Sequence, residues 1–176
     1  MAKLLRTKRI YEGRVINLRV DTVEAHGREH ELEIVEHSGA VVVIAQPSPD
    51  EIVLVKQHRH AIGEDTWEVC AGGIDPGETP EDAAIRELRE ETGYRADSMK
   101  RLWSAYSAPG FCNELLHFFH TDSYQVGEAE PDAEEEIDVA TFPLKRVMEM
   151  IERDELRDAK TQVAVQWAIR QYSNRS

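Results

Sequence analysis

The sequence predicts an α+β fold, with strands preceding and surrounding one central helix and two further helices near the C-terminus. Three observations carry this. Apolar residues tend to alternate with polar ones through much of the first 37 positions; two continuous apolar runs follow, AVVVIA at 40–45 and IVLV at 52–55; and Thr79 to Gly93 is marked as a helix at both ends. At 176 residues the chain is long enough for one domain with one good core. Residues 1–40 read as an N-terminal strand region of that domain, and 41–176 as its main body.

Alternation from Arg9 to Glu24 (Val15, Leu18, Val20, Val23) and from Glu29 to His37 (Leu32, Ile34) predicts half-buried antiparallel strands joined near His26-Gly27. AVVVIA then reads as a buried strand, returned by the PSPD turn at 47–50 to a second buried strand, IVLVKQHR, in a hairpin. Trp67 to Cys70 reads as a further strand. After the central helix, Leu102–Ser107 and Leu115–Thr121 read as strands separated by PGFCNE. Ser123–Glu136 has no hydrophobic period, no apolar anchor beyond Val126 and many acids, so it is expected as a long functional loop. Ile137–Phe142 is the last predicted strand, followed by helices over about Leu144–Arg153 and Thr161–Tyr172, the latter burying Val163, Trp167, Ile169 or nearby faces.

The central helix is the most informative segment. Thr79 is a favoured N-cap, Pro80 suits the first helical position, Asp82 sits where a capping-box acid reaches back, and Gly93 suits a left-handed C-terminal stop. A helix over Pro80–Thr92 follows. At about 100° per residue, Glu87, Glu90 and Glu91 share an arc of roughly 100°, beside an apolar stripe of Ala84, Ile85 and Leu88. Like charges at i,i+4 cost an isolated helix about 0.2–0.5 kcal/mol, a cost that a hard cation removes. Oxygen ligands without His or Cys suit Mg²⁺ or Mn²⁺ better than Zn²⁺. Arg86, one turn before Glu90, can hold that carboxylate in place. Glu-rich helices are commonly just solvated faces. Here Gly72, Gly73 and Gly77 precede the helix and permit a close, sharply turned approach to its start, which favours a site.

Bulk composition sets limits. A formal net charge of −13 argues against duplex nucleic acid as partner. An anionic phosphate substrate remains compatible only if bound cations invert the local field. No apolar run approaches the length of a membrane span or a signal peptide, so a cytoplasmic protein is expected, with Cys70 and Cys112 as free thiols. His117 and His120 lie on a predicted strand without a second ligand at metal-site spacing, and Trp67, Trp103 and Trp167 are expected in the core.

Gly72, Glu78, Arg86, Glu87, Glu90, Glu91 and Gly93 stand as glycine, five residues, glutamate, seven residues, then Arg-Glu-x-x-Glu-Glu-x-Gly. At ordinary residue frequencies seven such positions coincide about once in 10⁸ or more trials. They match the Nudix box without a gap, and the chain resembles the Nudix hydrolases. Tyr94 takes the place of the more usual bulky aliphatic and is expected to be buried. Pro109 in YSAPGFCNE, the segment EIVEH at 33–37 and the order of C-terminal elements resemble the ADP-ribose pyrophosphatase branch, over roughly residues 9–172.

The resemblance implies an α/β/α sandwich with a mixed β-sheet, plus N-terminal antiparallel strands that build a homodimer. It implies Mg²⁺-dependent hydrolysis (Mn²⁺ being the other candidate) of the diphosphate of ADP-ribose to AMP and ribose 5-phosphate. By the same resemblance the metal ligands are the Ala71 carbonyl, Glu87, Glu90, Glu91 and Glu135. Glu135 is also the candidate base, with Glu90 and Arg86 as further catalytic candidates. Because Ala133 stands where some relatives carry a glutamate, Glu134 and Glu136 are its possible substitutes. Arg59, Glu33, Gly72 and Pro109 are the implied substrate contacts, with Arg59 on the diphosphate or adenine side. The alternatives are another nucleoside diphosphate derivative (a nucleotide sugar, flavin or dinucleotide) and a non-catalytic ADP-ribose sensor. Three retained, mutually repelling glutamates speak against the sensor.

Overall fold

His26 and Gly27 both have positive φ, 53° and 73°, as a two-residue hairpin turn of the type matched to strand twist requires. They join two of the three antiparallel strands that open the chain in the order β1 (Lys3–Glu12), β2 (Asn17–Ala25) and β3 (Arg28–Glu36). The computed structural model describes residues 2–127, 129 and 137–173. These fall into two compact units, Met1–Ala40 with Ser104–Leu116, and Val41–Trp103 with His117–Ser176.

In the first unit the strand expected over Arg9–Glu24 is two strands. The chain reverses at Gly13–Ile16, where the Gly13 N–H donates to the Ile16 carbonyl (3.1 Å) and Glu12 comes opposite Asn17. Val15, which prolonged the apparent alternation, is an exposed turn residue. β1 is exposed along its whole length, including Leu4, Leu5, Ile10 and Tyr11. On the other side of the sheet β3 receives the segment containing PGFCN. The Val35 N–H donates to the Phe111 carbonyl (2.8 Å), the Asn113 N–H to the Val35 carbonyl (3.2 Å), and the His37 N–H to Asn113 Oδ1 (2.8 Å). The two stretches EIVEH and APGFCNE, singled out separately in the sequence, are thus one hydrogen-bonded ladder.

The second unit contains all or most of β4 (Ala40–Ala45), β5 (Glu51–Arg59), β6 (Glu64–Glu68), β7 (Cys70–Gly73), α1 (Pro80–Thr92), β8 (Tyr94–Ala96), β9 (Lys100–Tyr106), β10 (Leu115–Thr121), β11 (Tyr124–Val126), β12 (Asp138–Pro143), α2 (Leu144–Glu152) and α3 (Ala159–Ser173), the ends of β4, β9 and β10 falling in the first. Its sheets run β7-β4-β10-β9 and β12-β5-β6, with a small β11-β8 pair. β4 is buried throughout, and its two faces pack on different layers. Val41, Val43 and Ala45 join Phe119, Cys70 and the α1 residues Ala83, Ala84 and Leu88 in one core cluster. On the opposite face of β10, Phe118 stacks on Trp103 (4.8 Å between centroids), and Trp103 meets Trp167 of α3 (6.0 Å). Helix α1 and helix α3 therefore cover opposite sides of one sheet, the α/β/α layering expected. None of the described helices is long and apolar enough to cross a membrane.

Several local expectations are corrected. β4 and β5 do not form a hairpin: after the PSPD turn the chain enters the other sheet, and the Gln46 N–H continues the β4 pairing to the Thr121 carbonyl (3.0 Å). Strands buried on both faces carry no alternation that would reveal their partner. Trp67–Cys70 is not one strand, since the chain changes sheet at Val69. The start of the acidic segment, Tyr124–Val126, is strand β11 paired to β8, and Tyr124 stacks on Tyr94 (4.6 Å, 9° between planes), so an aromatic anchor was overlooked there. Tyr94 is half-buried by this stacking. On α1 the buried face is Ala83, Ala84 and Leu88, while Ile85 is exposed; on α3 it is Thr161, Ala164, Val165 and Ala168, while Val163 is exposed. In both helices small residues carry the face because the sheet lies close, which apolar periodicity weighted by size misplaces.

Helix α1 has the ends its sequence specifies. The Asp82 N–H donates to Thr79 Oγ1 (3.2 Å), and Gly93 takes the left-handed conformation (φ 75°), its N–H bonding the Arg89 carbonyl (2.8 Å). The Asp82 carboxylate accepts from the Thr79 hydroxyl (2.6 Å).

Candidate active site

Strand β7 runs so close to α1 that the Gly72 position has no room for a side chain. A β-carbon there would lie 2.0 Å from the carboxyl carbon of Glu87. Gly72 thus exposes backbone directly to a carboxylate, whereas Gly73 has open space around it and Gly77 serves a turn with φ 87°. Next to this contact, Glu91 Oε2 accepts the Ala71 N–H (3.2 Å) and Glu91 Oε1 accepts Nε2 of Gln57 (2.8 Å). Glu91 is 5% exposed. Burial pushes its carboxyl up to about 7, opposed by hydrogen bonds from Cys70, Gln57 and Ala71 and reinforced by the charge of Glu87.

Arg86 organises the remaining acids. Its Nε and Nη2 clamp the two oxygens of Glu78 (2.9 Å each), Nη2 also reaches the Gly73 carbonyl (2.9 Å), and Nη1 bridges Glu87 (2.7 Å) and Glu90 (3.0 Å). The bidentate hydrogen bonding to Glu78, the largest influence, holds the guanidinium firmly charged. Glu78 is correspondingly held below the usual carboxylate range. Among the described residues no three His, Cys, Asp or Glu side chains stand as a ready metal-binding group. Arg86 supplies positive charge to Glu87 and Glu90, while Glu91 lies against the Ala71 N–H and Gln57. The donor set nevertheless fits a hard divalent cation. It is made only of oxygens, it includes backbone made accessible by Gly72, and it holds a buried carboxylate whose charge burial opposes.

A second charged group lies at the end of β6. Glu68 is buried, and Arg59 binds it through Nε and Nη2 (2.8 Å each). Lys160 and Thr66 also hydrogen-bond its carboxylate. Burial alone would raise the Glu68 carboxyl, but the Arg59 bond, the charge and bond of Lys160 and the Thr66 hydroxyl overcome it and bring it down to about 2. The Val69 N–H, at the point where the chain changes sheet, donates to Thr161 Oγ1 of α3 (2.9 Å).

The structure therefore brings together Ala71, Gly72, Arg86, Glu87, Glu90 and Glu91, and sets Arg59 on a buried partner. Glu33, exposed on β3 opposite Val20, and Pro109, exposed in the segment beside β3, belong to the first unit. Glu134, Glu135 and Glu136 lie outside the described residues. Gln57, Glu68, Lys160 and Thr161 were missed by the sequence reading. Gln57 shares the parity of the buried Val53 and Val55 on β5, and Glu68 precedes the core residues Val69 and Cys70, so both were legible as polar residues at core positions. For Lys160 and Thr161 the local partner is Asp158, and nothing nearby signals their contacts with Glu68 and the Val69 N–H, 92 residues away. His120 packs on Trp167 (5.0 Å), and burial followed by Arg101 lowers the pKa of His117.

The Glu68 pairing sets a pH dependence. A carboxyl whose folded-state value lies below its ordinary 4.5 contributes stability that is complete above 4.5 and lost as pH falls towards 2. Denaturant unfolding of wild type and Glu68→Gln should differ by on the order of 3 kcal/mol at pH 7, with the gap closing below pH 4.5. A gap that stays constant down to pH 2.5 would contradict the pairing.

The model of the NUDIX domain matches residues 35–163. The chain is 38% identical over 168 residues to an ADP-ribose pyrophosphatase of Bacillus subtilis, an alignment spanning 94% of this chain and 91% of the relative. It is equally similar, 38% over the same shares, to a methanol dehydrogenase activator of Bacillus methanolicus. It is 32% identical over 161 residues, 82% of each chain, to GDP-mannose pyrophosphatases of Escherichia coli. A crystal structure of an ADP compounds hydrolase superposes with a TM-score of 0.83 over 97% of this chain and 93% of that one, at 21% identity, a likeness of fold. With the family model matching most of its length and a relative 38% identical over 94% of it, this chain belongs to the Nudix hydrolase family.

Proposed function

We propose that the protein hydrolyses the diphosphate linkage of ADP-ribose, releasing AMP and ribose 5-phosphate. The observation that carries this is the packing of Glu87 against the backbone of Gly72 beside buried Glu91, within a chain 38% identical to an ADP-ribose pyrophosphatase over nearly its full length. Glu87, Glu90, Glu91 and the Ala71 carbonyl are the residues that would hold Mg²⁺ or Mn²⁺. A bound divalent cation lowers the pKa of a coordinated water and offsets diphosphate charge. Gln57 and the Ala71 N–H fix both oxygens of Glu91, and Glu78 holds Arg86 in place, so the carboxylates enter the reaction already oriented. Arg59, 39% exposed and aligned by Glu68, is the proposed diphosphate contact, with Glu33 and Pro109 as further substrate contacts. The nucleotide-sugar reading is second, favoured by the GDP-mannose pyrophosphatase relatives at lower identity and coverage.

Cytoplasmic placement fits two free cysteines, one of them buried. A homodimer fits the first unit, where β1 leaves Leu4, Ile10 and Tyr11 exposed on an edge strand that a second copy can cover. Static light scattering of the intact chain should give twice the chain mass, and deletion of residues 1–35 should give a monomer with weakened substrate binding. An intact monomer would rule the dimer out.

The function is tested by offering ADP-ribose, GDP-mannose, dinucleotides and coenzyme A, each with and without Mg²⁺, and resolving the products by chromatography. ADP-ribose should be cleaved fastest, only with metal, and EDTA should stop turnover without unfolding the protein. Glu91→Gln should stay folded and lose a factor of about 10² or more in kcat. Near wild-type turnover by Glu91→Gln in saturating Mg²⁺ would refute the ligand assignment.

Glu135 is the proposed base. Glu90 is the less suitable acid, because its oxygens already accept from Arg86 (3.0 Å) and Arg89 (3.5 Å). Glu135→Gln should lower kcat by about 10² or more while moving KM little. Silence at Glu135 with loss at Glu134→Gln or Glu136→Gln would move the role to that neighbour, and silence at all three would return it to Glu90.

A further inference from the structure

Glu68 is a single buried carboxylate touched by two cations. Arg59 binds it bidentately from β5, and Lys160 reaches it from the first turn of α3, with side-chain exposures of 4% for Glu68, 17% for Lys160 and 39% for Arg59. Behind Lys160 stands Asp158, 3.1 Å from its Nζ. The four groups alternate in sign along their contacts, Arg59 positive, Glu68 negative, Lys160 positive and Asp158 negative, with Glu68 the most buried and Asp158 21% exposed. Only the guanidinium end is substantially exposed, and two of its five donors are used by Glu68.

We propose that Lys160 is a substrate-positioning residue: by sharing Glu68 it leaves Arg59 held in place yet still attractive to an anionic diphosphate. This rests on the proposed function. Glu68 alone would orient Arg59 but cancel its charge, making a neutral pair backed by the negative Asp158. With Lys160 the cluster sums to zero and its exposed end stays positive. The coupling reaches Arg59 itself, whose pKa is raised first by the Glu68 hydrogen bond and, beyond Glu68, by the charges of Glu91 and Asp158. Backbone placement does not depend on Lys160. Thr161 Oγ1 accepts from the Val69 N–H, and Asp158 Oδ2 accepts from the Thr161 N–H (2.9 Å each), so α3 stays capped and tied to the strand when Lys160 is changed.

The test compares wild type, Lys160→Met, Lys160→Arg and Asp158→Asn. KM and kcat are measured on ADP-ribose with Mg²⁺, and Kd for ADP by calorimetry in the same buffer, with thermal melts to check folding. A unit charge on the order of 10 Å away, acting through a protein-like dielectric, changes affinity roughly tenfold. Lys160→Met should therefore raise KM and Kd about tenfold with kcat within about threefold, and Lys160→Arg should restore both to within about threefold. Asp158→Asn, which keeps a capping side chain, should tighten ADP. Wild-type KM and Kd in Lys160→Met would overturn the assignment, as would a joint fall in kcat and affinity that Lys160→Arg does not rescue. Should Lys160→Met fail to fold, unchanged or weaker ADP binding by Asp158→Asn overturns it instead. A wild-type protein that binds ADP but leaves ADP-ribose intact removes the functional reading, and Kd then decides on Lys160 by itself. Absence of ADP binding by wild type overturns both.

Discussion

The site depends on how closely β7 can lie against α1. Contact between a backbone and a carboxylate at Gly72 is possible only where no β-carbon intervenes, and the Glu87 carboxyl occupies the space a side chain would need. That approach also brings the Ala71 N–H within reach of Glu91 and the Gly73 carbonyl within reach of Arg86. The helix can pack so near because its inward face is Ala83, Ala84 and Leu88, two of them the smallest side chains available to a helix interior. Packing and chemistry are set by adjoining faces of one helix: the small face buries it, and the next presents the acids.

Charge is arranged in layers around this contact. A chain with a formal charge of −13 concentrates acids on one helix face and then stabilises them individually. Arg86 clamps Glu78 and bridges Glu87 and Glu90, and the buried Glu91 accepts from neutral donors, Gln57 and the Ala71 N–H among them. Glu68 shows the opposite solution, a buried acid made strongly acidic by two cations. Buried ion pairs are weak evidence for stability in themselves, since desolvation offsets much of the attraction. Their value here is orientation: each fixes a guanidinium or a carboxylate at one angle, which a site for a charged diphosphate requires.

Much of this was legible in the chain because its signals are local. The cap at Thr79, the stop at Gly93, the i,i+4 link between Arg86 and Glu90 and the closeness of Gly72 to the acids follow from spacing along fewer than 25 residues, and the helix bounds agree to the residue. What escaped was non-local. Nothing near β4 and β5 says that they belong to different sheets, because strands buried on both faces lack the alternation that fixes register. Lys160 and Thr161 looked like ordinary helix-start residues, and their roles arise only where α3 meets Glu68 and Val69. Glu68 and Gln57 are legible only as polar residues where the strand pattern demands burial, a weaker signal than the charged box.

The proposed metal site is tested most directly by anomalous diffraction from crystals of the protein soaked in Mn²⁺. Peaks bounded by the carboxylates of Glu87 and Glu91 and the Ala71 carbonyl, with Arg86 retained on Glu78, are the predicted result. Mn²⁺ bound elsewhere, or none bound while Arg86 still bridges Glu87 and Glu90, would contradict it.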